Sequence, residues 1–403
     1  MPVRASNHKR ARLRGLRLAA KLRYIAVMQR ITTPDDPVLR DLCEALRSRS
    51  GDLDRTGQWP AEQLRLCGEA GVYEWFLAAE WGGQDWNEEQ IVRGYLALSE
   101  ACLTTTFIIT QRTGACRRIA GCENQPVKER LLPDLASGAT FATVGISHLT
   151  TSRRHLARPI LTAEPAGDGF VLDGFVPWVT GAQHAQTIVV GATVVRGGEP
   201  TADQVLLAVP TDLPGIELPP PEQLVALSAS QTGEVRFNRA SVSDEFLLAG
   251  PVENVMATGI GGRTGGHETS ALALGLSAAA LDYLRQEAGK RNDLVQAAEA
   301  LAVEHAELKG DLLAIARGDQ VCTNESLRGR ANSLVLRSTE AALTAAKGAG
   351  FVASHPVGRW CREALFFLVW SCPQPVASAH LCALAGIGDE RSEVGGQRSE
   401  TSG

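Results

Sequence analysis

The sequence predicts an α+β multidomain fold: an N-terminal α-helical domain, a central small β-barrel and a C-terminal four-helix bundle. Three observations carry this. Apolar residues recur at helical spacing over 34–138, short apolar runs punctuated by turn formers fill 141–250, and long Ala- and Leu-rich segments return from 255 onward. A length of 403 residues exceeds one ordinary core and suits two or three domains. The boundaries follow the texture: 1–30 a basic extension, 31–139 helical, 140–252 β, 253–387 a helical bundle and 388–403 a polar Gly/Ser-rich tail, expected to be disordered.

Residues 1–30 hold nine Lys or Arg and no acid, so removing them would take the net charge from -5 to -14. A basic arm or targeting peptide is one reading. The favoured one starts the native chain at Met28, because the segment lacks both an apolar h-region and the Ser-richness of a transit peptide. In the first domain Leu39, Leu42, Cys43 and Leu46 make one helical face. Leu64, Leu66, Cys67 and Val72 begin a second, and Ile91, Tyr95, Leu98 and Cys102 a third. In the second domain, strands are expected at 170–172, 187–190, 205–209 and 235–237, separated by Gly167-Asp168-Gly169, Gly197-Gly198, Pro214-Gly215 and Pro219-Pro220-Pro221. Such short, evenly punctuated strands suggest a compact antiparallel barrel or sandwich. In the third domain, helices are expected at 270–288, 294–316 and 333–347, with a last one from about 359.

The composition, 44% apolar and 21% charged, is that of a soluble globular chain. The strongest apolar run, 365–370, is far too short to span a bilayer. A net charge of -5 gives no drive toward nucleic acid. Nine cysteines without a CxxC suit a reducing compartment, so the expected location is cytoplasmic. The eight histidines form no HExxH and no metal spacing, so no metal is expected.

Across residues 35–387 the chain resembles the acyl-CoA dehydrogenase family. In the first domain the matching pieces are Trp59-Pro60, Gly71-Val72 and Ala79-Glu80-Trp81-Gly82-Gly83. They continue with Cys122-Glu123-Asn124-Gln125, Lys128, Leu132-Pro133, Leu135 and Gly138. In the second they are Gly174, Trp178-Val179-Thr180, Val235-Arg236-Phe237 and Leu247-Leu248. Near the end stand His355-Pro356-Val357 and Arg362-Glu363-Ala364. The resemblance implies a flavoenzyme, with FAD as cofactor and FMN or a loosely bound reduced flavin as alternatives. Its substrate would be an acyl thioester on CoA or a carrier protein, desaturated at the α,β carbons, and its assembly a homodimer or homotetramer. Trp178 and Thr180 then resemble the pair that faces the flavin ring. Ser147 and Thr150 lie in the segment that replaces the family's flavin loop, and Lys347 and Gly348 in the one that replaces its Gln-x-x-Gly-Gly.

The chain also departs from the family. Counting from Arg362, the catalytic glutamate position falls on Ser371, whose hydroxyl is no base near neutral pH. Cys372 stands beside it. In some members the base lies instead at the start of the bundle's first helix. Glycines hold that position here, with His267 and Glu268 two or three residues on as the candidates for a relocated base. A carboxylate offsetting the helix dipole is the plain structural account of Glu268. A monooxygenase on the same fold, which needs no α-proton removal, and a flavin-poor, non-catalytic partner subunit are the alternative functions.

Overall fold

The computed structural model describes residues 29–150, 159–259 and 266–387. The expectations for the basic extension before Met28 and for the tail lie outside the described residues.

Asp36 starts the first helix, α1 (Pro37–Thr56), by accepting a hydrogen bond from the Val38 amide at 3.0 Å, with Pro37 fixing φ at the first helical position. Gly57, at φ 63°, ends it in the left-handed region. Its buried stripe contains Leu39, Leu42, Leu46 and Leu53. After α2 (Ala61–Glu69), Asn87 and Gln90 form a reciprocal capping box that opens α3 (Glu88–Ala101). The next helix, α4 (Leu103–Gly121), is buried on nearly every side, and α5 (Gln125–Ser137) leads into the sheet.

Eight strands make one sheet: β1 (Ala142–Gly145), β2 (Leu161–Pro165), β3 (Gly169–Thr180), β4 (Thr187–Arg196), β5 (Glu199–Pro210), β6 (Ile216–Glu217), β7 (Thr232–Ser243) and β8 (Leu247–Glu253). The order is β6-β7-β3-β2-β4-β5-β8, with β1 parallel to the first half of β4. This corrects the expected barrel. The path ends at β6 on one side and β8 on the other, so the sheet stays open. The four expected strands lie inside β3, β4, β5 and β7, each longer than its apolar run. A ladder continues through polar residues once its register is set. A single turn of helix, α6 (Ser147–Thr150), follows β1.

The C-terminal part holds α7 (His267–Ala288), α8 (Val295–Ala316), α9 (Asn324–Ala346), α10 (Pro356–Ala364) and α11 (Gln374–Leu384). Helix α9 begins nine residues earlier than its expected start at 333, because Thr323 caps it by accepting from the Ser326 amide at 3.1 Å. The expected last helix is broken. A 3-10 turn over Leu365–Leu368 follows α10, and Pro373 precedes α11.

The main core joins the first and last parts of the chain. Tyr95 and Leu98 of α3 belong to one buried cluster with Leu272, Leu274 and Leu276 of α7 and Leu334 of α9. Ser99 Oγ donates to the Leu272 carbonyl at 2.7 Å. Gly275 allows this close approach: a Cβ there would stand 2.7 Å from the Leu96 carbonyl oxygen. Among the described residues, no helix is long and apolar enough to cross a membrane.

Candidate active site

Helix α4, the β1–α6 turn, β3, the start of α7 and the turn after α10 converge on one cavity of about 390 Å³. From α4 it takes Thr110, Gln111, Thr113, Gly114, Arg117 and Arg118. Ser147 and Thr150 come from α6, Trp178 from β3, and His267 and Glu268 from the first turn of α7. Glu88, Asn324, Trp370 and Ser371 complete the polar and aromatic wall.

Six side chains singled out in the sequence therefore meet here: Ser147, Thr150, Trp178, His267, Glu268 and Ser371. Trp178 is 48% exposed, its indole left open at the cavity. Thr180 is not part of the lining. It is buried, and its hydroxyl is 2.9 Å from that of Thr232, which is 2.9 Å from Ser230 Oγ. A register irregularity between Val176 and Val179 interrupts the regular pleat on which the expected shared face of Trp178 and Thr180 depends. Lys347 and Gly348 are exposed in a 3-10 turn beyond the end of α9 that also holds the exposed Phe351, outside this cavity. His184 is not part of the lining: it stacks on Trp59 at 4.3 Å and hydrogen-bonds Gln231 at 2.7 Å.

Ser371 has φ 47° and follows Trp370, whose ring stacks on Phe366 and meets Phe107 edge-on. Arg328 Nη2 donates to the Trp370 carbonyl at 2.9 Å and so pins the turn from α9. Burial raises the Cys372 thiol above its ordinary range against the opposing pull of Arg328, which leaves it a poor nucleophile.

The charged part of the cavity is a chain of contacts. Arg117 Nη1 donates to Glu268 Oε1 at 2.5 Å, and its Nη2 lies 3.5 Å from Glu88 Oε2. Glu88 Oε1 in turn lies 3.5 Å from His267 Nδ1. The hydrogen bond to Glu88 raises His267 above the ordinary imidazole value, against burial, and the same bond lowers Glu88. Sequence reasoning misses Arg117 and Arg118, two of the three arginines of α4. The available signal was Arg117-Arg118 inside a segment otherwise rich in Thr, Ile and Ala.

A planar ring with a polar edge fits this lining. Ser147 Oγ is buried without a hydrogen-bond partner, and the open indole of Trp178 offers a flat apolar wall. A flavin has both features, so these residues fit that group.

Residues 38–139 match the family model for the acyl-CoA dehydrogenase N-terminal domain. A probable acyl-CoA dehydrogenase, YngJ of Bacillus subtilis, is 25% identical over 335 residues, covering 77% of this chain and 86% of that protein. The mitochondrial short-chain specific acyl-CoA dehydrogenase of Mus musculus is 25% identical over 370 residues, covering 85% and 88%. Among solved structures, glutaryl-coenzyme A dehydrogenase in its glutaryl-CoA complex superposes with a TM-score of 0.73 at 17% identity, covering 87% of this chain and 95% of that one. A matching first domain, relatives aligned over most of their length and a shared three-part architecture agree: residues 38–139 form an acyl-CoA dehydrogenase N-terminal domain, and the chain as a whole is similar to acyl-CoA dehydrogenases and shares their fold.

Proposed function

We propose that this protein is a flavin-dependent oxidoreductase that desaturates the α,β carbons of an acyl thioester, with Glu268 taking the α proton. What supports the reading is that Glu268, Trp178 and the unpartnered Ser147 hydroxyl line one cavity, together with Ser371, which stands where counting along the sequence puts the usual base and offers only a hydroxyl. When bound, the flavin supplies the two-electron acceptor that takes hydride from the β carbon. FAD is the form proposed, as in the family at large. A homodimer or homotetramer is the proposed assembly, with the exposed apolar Phe351 and Val352 after α9 and Leu381 and Leu384 of α11 as its proposed contacts.

The chain's own residues divide the remaining work. Trp178 walls the ring, and Ser147 meets its polar edge. Arg117 fixes the Glu268 carboxylate by a direct ion pair. When Glu268 gains the α proton it loses its charge, and Glu88 remains as the second counter-charge to Arg117. His267, hydrogen-bonded to Glu88 and raised, is the weaker candidate for the base because it holds its own proton more tightly.

The test is the visible spectrum of the purified protein, followed by anaerobic mixing with saturated acyl-CoA. Bleaching of the flavin is expected. Glu268→Gln is expected to slow bleaching by about 100-fold or more with the spectrum intact. Undiminished bleaching in Glu268→Gln ends its role as base. Ser371 also favours a second reading, a monooxygenase, which needs no α-proton acceptor. A flavin inert to thioesters that oxygenates a substrate after external reduction selects that reading. A colourless protein that cannot be reconstituted selects a non-catalytic partner subunit.

A further inference from the structure

Arg118 stands next to Arg117 on α4 and lines the same cavity, yet its electrostatic situation is different. It is only 5% exposed. Its Nη1 donates to the Gly114 carbonyl at 2.8 Å, and its Nε is buried with no partner. Among the described residues no carboxylate forms an ion pair with it, whereas Arg117 has two. Glu268 is near enough to influence it but is committed to Arg117.

A buried guanidinium without a counter-charge is costly, and a single bond to a carbonyl one turn back in its own helix does not repay it. Burial brings Arg118 down to about 10, which still leaves it protonated at neutral pH. Around the cavity, both carboxylates, Glu88 and Glu268, contact Arg117. Arg118, the more deeply buried of the two arginines, is left without an ion pair among the described residues.

We infer that Arg118 is the anion-binding residue of this cavity and that the preferred thioester carries a second acidic group on its acyl chain, whose oxygens pair with the guanidinium. The inference rests on the acyl-thioester reading for the identity of the ligand, but not for the anion site itself. The same donor geometry suits a phosphate of the bound cofactor, so the experiment separates the two sources.

The measurement uses the flavin-loaded enzyme and two CoA thioesters of equal chain length, adipoyl-CoA and hexanoyl-CoA, with affinity read from perturbation of the flavin absorbance. Wild type is expected to bind adipoyl-CoA tighter by roughly tenfold or more, the range of a charge-assisted hydrogen bond. Arg118→Met is expected to bring that ratio close to one, and Arg118→Lys to restore part of it. A melting-temperature rise with free adipate in wild type, lost in both Arg118→Met and Arg118→Gln, supports the anion site even if no thioester perturbs or reduces the flavin. That pattern would retire the thioester reading and leave Arg118 standing. Equal binding of the two thioesters, together with weaker flavin retention in Arg118→Met, keeps the anion site and assigns the anion to the cofactor. No thioester preference, no adipate effect and unchanged flavin retention would overturn the inference.

Discussion

At the scale of single residues, the cavity is organised by who pairs with whom. Glu88 serves two cations, Arg117 and His267. His267 is raised by its bond to Glu88, so the stabilisation it brings is present below the ordinary imidazole value and lost as pH rises through the raised one. Glu88 is lowered by the same bond, so its contribution is present above the ordinary carboxylate value and lost as pH falls through the lowered one. The pair is thus fully formed only between those limits. Glu88→Gln is expected to drop the His267 value toward that of a free imidazole, which an NMR titration of the ring protons would follow; no change would mean that the pair does not form in solution. Side chains of this kind were only partly legible in the sequence. Trp178, Ser371, His267 and Glu268 could be placed by counting along recognisable stretches. Arg117 and Arg118 could not, because a pair of arginines in a helix ordinarily marks a solvated face. Only the enclosure of α4 shows that these two point inward.

At the scale of elements, the positions of the helices were readable and their meeting was not. Apolar spacing and Ala- and Leu-rich composition located α1, α3 and α7, since both are local properties. Strand cores were visible as apolar runs, but the sheet's openness depends on which strands pair, and pairing is not written in any one strand. Gly275 shows the same limit. Within the sequence it is a helix-weakening residue in an Ala-rich stretch, whereas in the fold it lies against the Leu96 carbonyl and Ser99 Cβ, each 2.7 Å from where a Cβ would be. Gly275→Ala gains about 1 kcal/mol of helix propensity. It also drives a methyl group into backbone that cannot give way, at about 1–3 kcal/mol. A net loss of stability is expected, read as a lower urea midpoint. A midpoint at or above that of wild type would show that α3 and α7 separate easily.

For the whole molecule, the cavity exists because the first and last parts of the chain are locked together, with the sheet held against α4. One lock is ionic: Arg362 of α10 grips Asp54 of α1 through two bonds, 2.9 and 2.6 Å, across 308 residues of sequence. Beside it Glu363 is fully enclosed, with Arg359 one turn away at 3.4 Å. Burial pushes the Glu363 carboxyl up to about 7, against the pull of Arg359 and with a further push from Asp54. The direction of the linkage follows. In the unfolded chain this carboxyl loses its proton near its ordinary value, about 4.5. In the folded chain it keeps the proton until about 7. Between those values the folded state binds more protons, so Glu363 makes stability fall as pH rises and adds nothing further above the upper one. Glu363→Gln keeps the shape and removes the titration. Comparing melting temperatures at several pH values from 5 to 8, the difference between wild type and variant should change steadily up to about 7 and then level off. A difference that stays flat across the range would show that Glu363 is ionised throughout and is held in the core by Arg359 as a true ion pair.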